Sequence, residues 1–473
     1  MNRSRHTFIF PLLFILVFAM AARTPLDSDM WWHLRVGKWM VENRQPLTTD
    51  VFSHTRYGAL WTNHSWLAQI GMALLFGEER FGLFSAAVAV IAAASLGFVY
   101  LQMDNAPIIR AFVIVLAGTV AAPVWTPRPQ IASLLMLSVT GYLVHLCRRK
   151  GVDHLWLLIP LFVLWSNLHG GYVLGLMLLG ATLLGDGVCL LTGDAPNWRP
   201  WRRLLWWSLA SGFAVLLNPN GLRTWLIPFQ TVGIEALQRV IQEWASPDFH
   251  DLAQQPLLWL LFALLGAVGF SKKRLDVVDF AVVVIFGYWA FLARRNFGPF
   301  ALVAAPVLAR HLPEGWQSSS NGVPKPRWGR PFESGLLLLL GAAALLKVLT
   351  VNAPAFVDAK RAEFFPEAAA TWVQLHNPDG NLFNAYEWGG YLMWRLPEVQ
   401  VFIDGRTDLY AEKVLTDYLL AFAGEAGWEA VFERYKIGWV LLPREAPLAQ
   451  ILDADVGWEK PYEDGVAVIY VRE

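Results

Sequence analysis

Residues Asp27-Ser28-Asp29-Met30-Trp31-Trp32-His33 set two carboxylates one residue apart, two indoles and an imidazole directly after the first apolar segment, Phe8 to Ala22. Placing such groups where a membrane helix emerges into water is costly unless something binds there. A carboxylate within hydrogen-bond reach can take the proton of an attacking hydroxyl. Downstream, Thr49-Asp50-Val51-Phe52-Ser53-His54 and Trp61-Thr62-Asn63-His64 add further polar groups. Asp27, Asp29, His33, Asp50, His54 and His64 are therefore candidates for three jobs: a general base, a divalent metal site, or anchors for a polar ligand. Two Asp with His suit Mg²⁺ or Mn²⁺, Asp27 and Asp29 first among them, although the spacing alone is a weak metal signal. Two plainer readings compete. One Asp suffices to cap the helix that follows, and Trp31, Trp32, Trp39 and Trp61 suit an aromatic belt at a membrane surface.

The elements that must hold these groups are membrane helices. The chain has 473 residues, 55% hydrophobic and 16% charged, with 24 Trp and 29 Phe, and a mean hydropathy of +0.39. That composition excludes an ordinary soluble protein. Apolar runs recur at 82–101, 108–122, 131–146, 155–166, 172–192, 204–217, 255–270, 277–292, 298–309 and 333–350, giving about eleven spans with the first segment. Arg3 and Arg5, Arg148-Arg149-Lys150, Arg199 with Arg202-Arg203, Lys272-Lys273-Arg274, and Lys325, Arg327 and Arg330 fall on alternate connections. The positive-inside rule makes that side, and the N-terminus, cytoplasmic. The loop 23–81, the Arg128-Pro129-Gln130 turn, Asn167 to Gly171, the 218–252 connection, Arg294-Arg295 and the C-terminal tail are then expected outside. A basic start followed by Ala19-Met20-Ala21 also fits a cleavable signal peptide. An uncleaved helix is the reading taken, and Asp27 ends up outside either way.

Formal net charge is zero, and the basic clusters read as topological signals, with no nucleic-acid partner implied. Cys147 and Cys189 both fall near cytoplasmic helix ends, which leaves no external disulfide framework. Gly315 to Gly329, rich in Ser, Gly and Pro, is the softest linker. In the loop 23–81, Trp32 to Asn43 and Ser65 to Phe76 read as short amphipathic helices lying in the interface, so that the loop forms a lid or vestibule. From residue 351 the texture becomes that of a small α/β domain of about 120 residues. Helices are expected at Glu363 to His376 and Asp408 to Phe422, and strands at Asn381 to Ala385, Val399 to Ile403, Gly438 to Leu442 and Gly465 to Val471. The organisation predicted is 1–350, a polytopic helical domain, and 351–473, an external α/β domain.

This plan resembles the GT-C superfamily of membrane glycosyltransferases. The resemblance rests on DSDMWWHLRVGKW, NHSWLAQ at 63–69, RPQ at 128–130, WSNLHGG at 165–171, LNPNG at 217–221, EWASPDF at 243–249, ARRN at 293–296, and YEWGGYL with FIDGRTDLY in the tail. It implies an α-helical polytopic fold in a bacterial cytoplasmic membrane. It also implies transfer of a sugar, with inversion, from a polyprenyl-phosphate donor to an extracytoplasmic acceptor that is a glycan, lipid or protein. On that analogy Asp27 or Asp29 is the base that activates the acceptor hydroxyl. Some relatives use a metal at the acidic site and others do not. The adjacent acidic pair of the mannosyltransferases is here split by one residue, which leaves the identity of the base open.

The same analogy asks for cations at the outer membrane face, because a phosphodiester leaving as a monoester gains negative charge. Arg294 and Arg295 are the first candidates and Arg128 the next. His169, in the polar break Asn167-Leu168-His169-Gly170-Gly171, is a candidate donor to phosphate or sugar, against a hairpin-turn role. Glu243 and Asp248, beside Trp244, belong to the other long external connection. In the tail, Glu387 of Tyr386-Glu387-Trp388-Gly389-Gly390-Tyr391, and Asp404 and Arg406 of Asp404-Gly405-Arg406-Thr407-Asp408, are expected at one edge of the sheet. There they would serve acceptor recognition or docking, against plain turn chemistry. A transporter or lipid flippase and a non-catalytic assembly protein are the competing readings. No inverted repeat is apparent, and no Gly-rich phosphate loop, His-Glu-x-x-His helix or Gly-x-Ser-x-Gly elbow occurs in a convincing context.

Overall fold

A computed structural model describes residues 3–77, 79–193, 197–228, 242–313 and 330–473. The linker 315–329, with Lys325 and Arg327, lies outside the described residues, as do the side chains of Arg3, Arg5 and Arg330 and residues 229–241 of the long connection. The chain divides into two compact units. One comprises Met1–Arg23, Ser85–Gly221 and Ile241–Val351, the other Thr24–Phe84, Leu222–Val240 and Asn352–Glu473. The loop after the first helix thus groups with the C-terminal tail, whereas the sequence suggested a lid attached to the helical domain.

In the first unit each apolar run read from the sequence falls in a helix. Phe81–Tyr100, Pro107–Val124, Gln130–Lys150, Tyr172–Leu191 and Ser334–Val351 are long and apolar enough to cross a membrane, while Phe8–Ala21, Leu155–Leu168, Gln255–Phe270 and Val277–Leu292 are apolar but shorter. Phe297–His311 runs through the core. Its Ala301, Ala304, Ala305 and Ala309 are fully buried, since small side chains let neighbouring backbones approach where no water drives association. Outward-facing residues are apolar too: Leu338, Leu339, Leu345, Leu346 and Leu349 of Arg330–Val351 are all exposed. That is the surface a hydrocarbon solvent requires.

One end of this unit carries a cluster of ion pairs. Arg148 bonds Asp186 at 2.7 Å, Arg149 bonds Asp276 at 2.7 Å, Lys150 bonds Asp104 at 2.6 Å and Arg203 bonds Asp153 at 2.8 Å. Arg310 pairs with Asp279. Of the basic connections assigned to one side from spacing, those at Arg148 to Lys150 and at Arg203 lie at this end of the bundle. The turn at Arg128 lies at the other, a helix of 16 residues away, Gln130–His145.

The second unit is built on a four-stranded sheet, β1 Asn381–Asn384, β2 Ile437–Pro443, β3 Trp458–Glu463 and β4 Ala467–Arg472, in the order β1-β2-β4-β3. β1 runs parallel to β2, and the β2–β4 and β4–β3 pairs are antiparallel. The expected helix over Glu363 to His376 is two, Pro354–Phe364 and Glu367–His376, broken at Pro366, because proline disfavours helix in the residue before it. The expected strand Val399 to Ile403 is not part of the sheet. Val401 instead pairs with loop residues, its amide donating to Phe52 O at 3.0 Å and its carbonyl accepting from His54 N at 3.1 Å. The Asn384 side chain bridges this segment to the end of β1, donating to Ile403 O and accepting from Phe402 N, both at 2.8 Å. Thr55 Oγ1 and His54 Nε2 donate to Phe402 O and Leu382 O. Loop and tail thus close the open side of β1.

Candidate functional site

Asp27 is the N-cap of helix Ser28–Asn43, its Oδ1 accepting from Asp29 N at 2.9 Å. The cap reading therefore holds for Asp27, and Asp29 follows in the first turn. This helix packs on Trp66–Phe76 and on Tyr386–Arg395 of the tail. Two tail glycines make the approach close. A Cβ on Gly390 would meet Ser28 O at 2.9 Å and Trp32 N at 3.1 Å, and one on Gly405 would meet Asp29 Oδ1 at 1.9 Å and Trp32 Nε1 at 2.5 Å. Gly389 lies as near the backbone of Ile403, where a Cβ would sit 2.0 Å from the carbonyl oxygen. The three motifs DSDMWWH, YEWGGY and DGRTD thus form one constellation, in which the tail backbone lies directly against the Asp29 carboxylate.

Trp31, Trp32 and Trp61 are 0%, 6% and 4% exposed. They are core residues of this unit and not an aromatic belt. His33, one turn beyond Asp29 on the same helix face, is buried and stacks on Trp32 with ring centroids 3.5 Å apart. Its orientation comes from two residues to which sequence reasoning gave no role. Asn63 Nδ2 donates to Gln69 Oε1 at 2.7 Å, and Gln69 Nε2 donates to His33 Nδ1 at 3.1 Å. A neutral His33 therefore carries its proton on Nε2. The signal was present in NHSWLAQ, whose Asn and Gln are six positions apart and flank a helix start.

Asp50, Asp404 and Arg406 come together completely buried. Arg406 donates Nη1 to Asp50 Oδ1 at 2.6 Å and Nη2 to Asp404 Oδ2 at 2.7 Å, and all three side chains are 0% exposed. Asp50 also accepts from Phe52 N, Ser53 N and Ser53 Oγ, and Asp404 from Tyr410 Oη. The guanidinium lies between the rings of Phe52 and Trp61, 5.4 and 5.2 Å from their centroids. Burial alone would lower its pKa, but the Asp404 carboxylate, with Tyr410 and Asp50, pushes it well above the ordinary value. These groups are saturated by one another and hold the loop to the tail. Burial lowers the His54 pKa below the ordinary value, against the opposing bond to Leu382 O. His64 is half-buried and Glu387 exposed.

In the helical unit, Arg128, Glu243, Arg294 and Arg295 gather at the end opposite the Arg148 cluster. Arg128 Nη1 pairs with Glu243 Oε1 at 3.1 Å, Arg295 lies over the Trp244 ring at 4.5 Å, and Arg294 N donates to Ala245 O at 3.2 Å. Arg294 Nε is buried without a hydrogen-bond partner. Asp248 bonds His250, with Arg294 near enough to act on its charge. His169 Nδ1 accepts from Gly171 N at 3.0 Å and contacts Ser133 Oγ at 2.8 Å, which itself accepts from Trp165 Nε1. A neutral His169 is thereby left with its proton on Nε2. Among the described residues no three His, Cys, Asp or Glu side chains are placed to hold a metal ion.

No protein-family model and no curated protein matches the chain. Solved structures do. ArnT from Cupriavidus metallidurans, bound to undecaprenyl phosphate, superposes with a TM-score of 0.54 at 12% identity over 98% of this chain and 97% of that one. The Archaeoglobus fulgidus oligosaccharyltransferase in its apo form gives 0.55 at 12% over 94% and 70%. The arabinofuranosyltransferase AftD from Mycobacteria gives 0.51 at 12% over 100% and 40%. The chain shares the fold of these structures.

Proposed function

Starting from that fold, we propose that the chain is an integral-membrane glycosyltransferase that moves a sugar from a polyprenyl-phosphate donor to an acceptor outside the cytoplasm, with inversion at the anomeric carbon. The observation that carries this reading is the acidic pair at the start of helix Ser28–Asn43, locked by a cap bond and faced by Gly390 and Gly405. Asp27 takes the proton of the acceptor hydroxyl. The hydroxyl oxygen then bonds to the anomeric carbon as the bond from that carbon to the phosphate oxygen breaks, releasing polyprenyl phosphate. Asp27 is the better placed of the pair because its rotamer is fixed by the Asp29 amide, whereas the Asp29 carboxylate is covered by Gly405. A helix N-terminus suits a negative charge.

Within the helical unit, the cations offered to a phosphate are Arg294, with Arg295 and Arg128 beside it. Arg294 is preferred since Arg128 already pairs with Glu243 and Arg295 is stacked on Trp244. His169 is proposed to donate to a phosphate or sugar oxygen through Nε2. The clustering of Arg148, Arg149, Lys150 and Arg203 at one end of the bundle supports the orientation that puts that end in the cytoplasm. ArnT's bound undecaprenyl phosphate supports the donor class. The test is mass spectrometry of extracytoplasmic glycans and lipid-linked sugars after deletion of the gene. A glycan lacking one sugar, with its polyprenyl-phosphate precursor accumulating, is the expected result, and an unchanged profile of both contradicts the reading.

A further inference from the structure

Behind Trp31, on the loop-and-tail unit, lies a cavity of about 320 Å³ lined by Trp31, Glu79, Arg361, Glu367, Tyr391 and Trp394, with Arg395 beside them. The volume is at the small end of ligand sites, which run from roughly 300 to 1,000 Å³. Two of its walls carry buried polar atoms with no hydrogen-bond partner. Trp31 Nε1 belongs to a side chain that is 0% exposed, and Tyr391 Oη to one that is 1% exposed. A buried donor left unmade is costly, and both side chains border the same space. The aromatic walls are fixed, with Trp31 5.3 Å from Tyr391 between ring centroids and Tyr391 stacked on Phe365 at 4.9 Å.

The charges decide what class of molecule fits. Arg361 is already saturated, bonding Glu367 at 2.8 and 3.1 Å, Glu79 at 3.2 Å and Asp358 at 3.0 Å. Two carboxylates and two guanidiniums line the cavity, so no net field favours a phosphate or a carboxylate ligand. Half-buried Trp394 offers its ring to apolar C–H faces, the Trp31 N–H and the Tyr391 hydroxyl lie just behind the wall, and Glu79 and Glu367 supply carboxylate acceptors at the edge. Sugar rings present that combination, with apolar faces rimmed by hydroxyls.

We propose that this cavity binds a neutral saccharide unit of the acceptor, at a subsite separate from the acidic pair. The assignment rests on the glycosyltransferase reading for its biological meaning, but binding can be measured without transfer. The full chain, purified in detergent, is applied to an array of neutral and anionic oligosaccharides, together with Tyr391→Phe, Trp394→Ala, Glu79→Gln and Asp27→Asn. Neutral oligosaccharides are expected to bind the parent chain and Asp27→Asn alike. Binding should weaken about tenfold in Tyr391→Phe and Glu79→Gln, and more in Trp394→Ala, with melting temperatures of Tyr391→Phe and Glu79→Gln unchanged. Binding of anionic glycans only, binding of none, or equal binding by all the cavity variants would overturn the proposal. Loss of binding in Asp27→Asn would place the sugar at the acidic pair and overturn it as well. A chain that binds neutral glycans through this cavity yet leaves cellular glycans unchanged on deletion would keep the subsite and remove the transferase reading.

Discussion

Arg406 Nη1 lies 2.6 Å from Asp50 Oδ1 across 356 positions of sequence, with both side chains out of water. This bond, with Asp404 on the other side of the guanidinium, explains why a loop that follows the first helix and a tail that follows the last one form a single compact unit. Removing one member of a buried ion pair strands the other. Arg406→Ala and Asp50→Ala are therefore each expected to destabilise that unit by about 3–5 kcal/mol, read by thermal unfolding of the full chain in detergent. A loss below about 1 kcal/mol in both would show that the network does not hold loop and tail together.

The tail glycines make a graded prediction. An added Cβ meets backbone at 2.0 Å at Gly389 but only at 2.9 Å at Gly390. Gly389→Ala should therefore cost more than Gly390→Ala, the former about 1–3 kcal/mol. The order of their melting temperatures checks this, and equal or reversed effects would contradict the packing.

His33 owes its tautomer to Gln69. In Gln69→Glu the replacement carboxylate can only accept, so the His33 ring must carry a proton on Nδ1. Nitrogen NMR of imidazole-labelled chain should show the Nδ1 signal move to a protonated shift, with Asn63 still donating to the new side chain. An unchanged Nδ1 signal would mean that the Asn63–Gln69–His33 relay does not set the ring.

His54 gives a pH dependence. Burial lowers its folded pKa below 6.5, so below that pH the unfolded chain binds more protons than the folded one and stability rises with pH. The contribution is complete above 6.5 and is lost as pH falls from 6.5 toward the folded value. Unfolding of the parent chain and of His54→Gln between pH 7.5 and about 4.5 should show a shallower slope in the variant. Parallel slopes would contradict it.

Much of this was legible from residue order. Apolar runs gave the helices, and alternate basic connections gave the shared end that Arg148, Arg149 and Arg203 occupy. The acidic pair stood out because charge beside a membrane helix needs a reason. Asp50, Asp404 and Arg406 were read as ligand contacts because a sequence does not reveal that a long-range partner has already satisfied a charge. Val399 to Ile403 has strand composition, but its pairing goes to Phe52 and His54 of the loop, a choice that packing makes. Asn63 and Gln69 were hidden for a similar reason. Asn63 bonds Gln69 within the NHSWLAQ segment, whereas His33, the partner of Gln69, sits on another helix, which spacing within that segment does not encode.

The central claim is that the acidic pair supplies the base. The most direct measurement complements a deletion strain with the parent chain, Asp27→Asn and Asp29→Asn at matched membrane levels, and follows the glycan by mass spectrometry. Removing a general base lowers the rate about 10²–10⁴-fold, so Asp27→Asn is expected to leave the acceptor without its sugar and the polyprenyl-phosphate donor unspent. Full restoration of the glycan by both single variants would contradict the account.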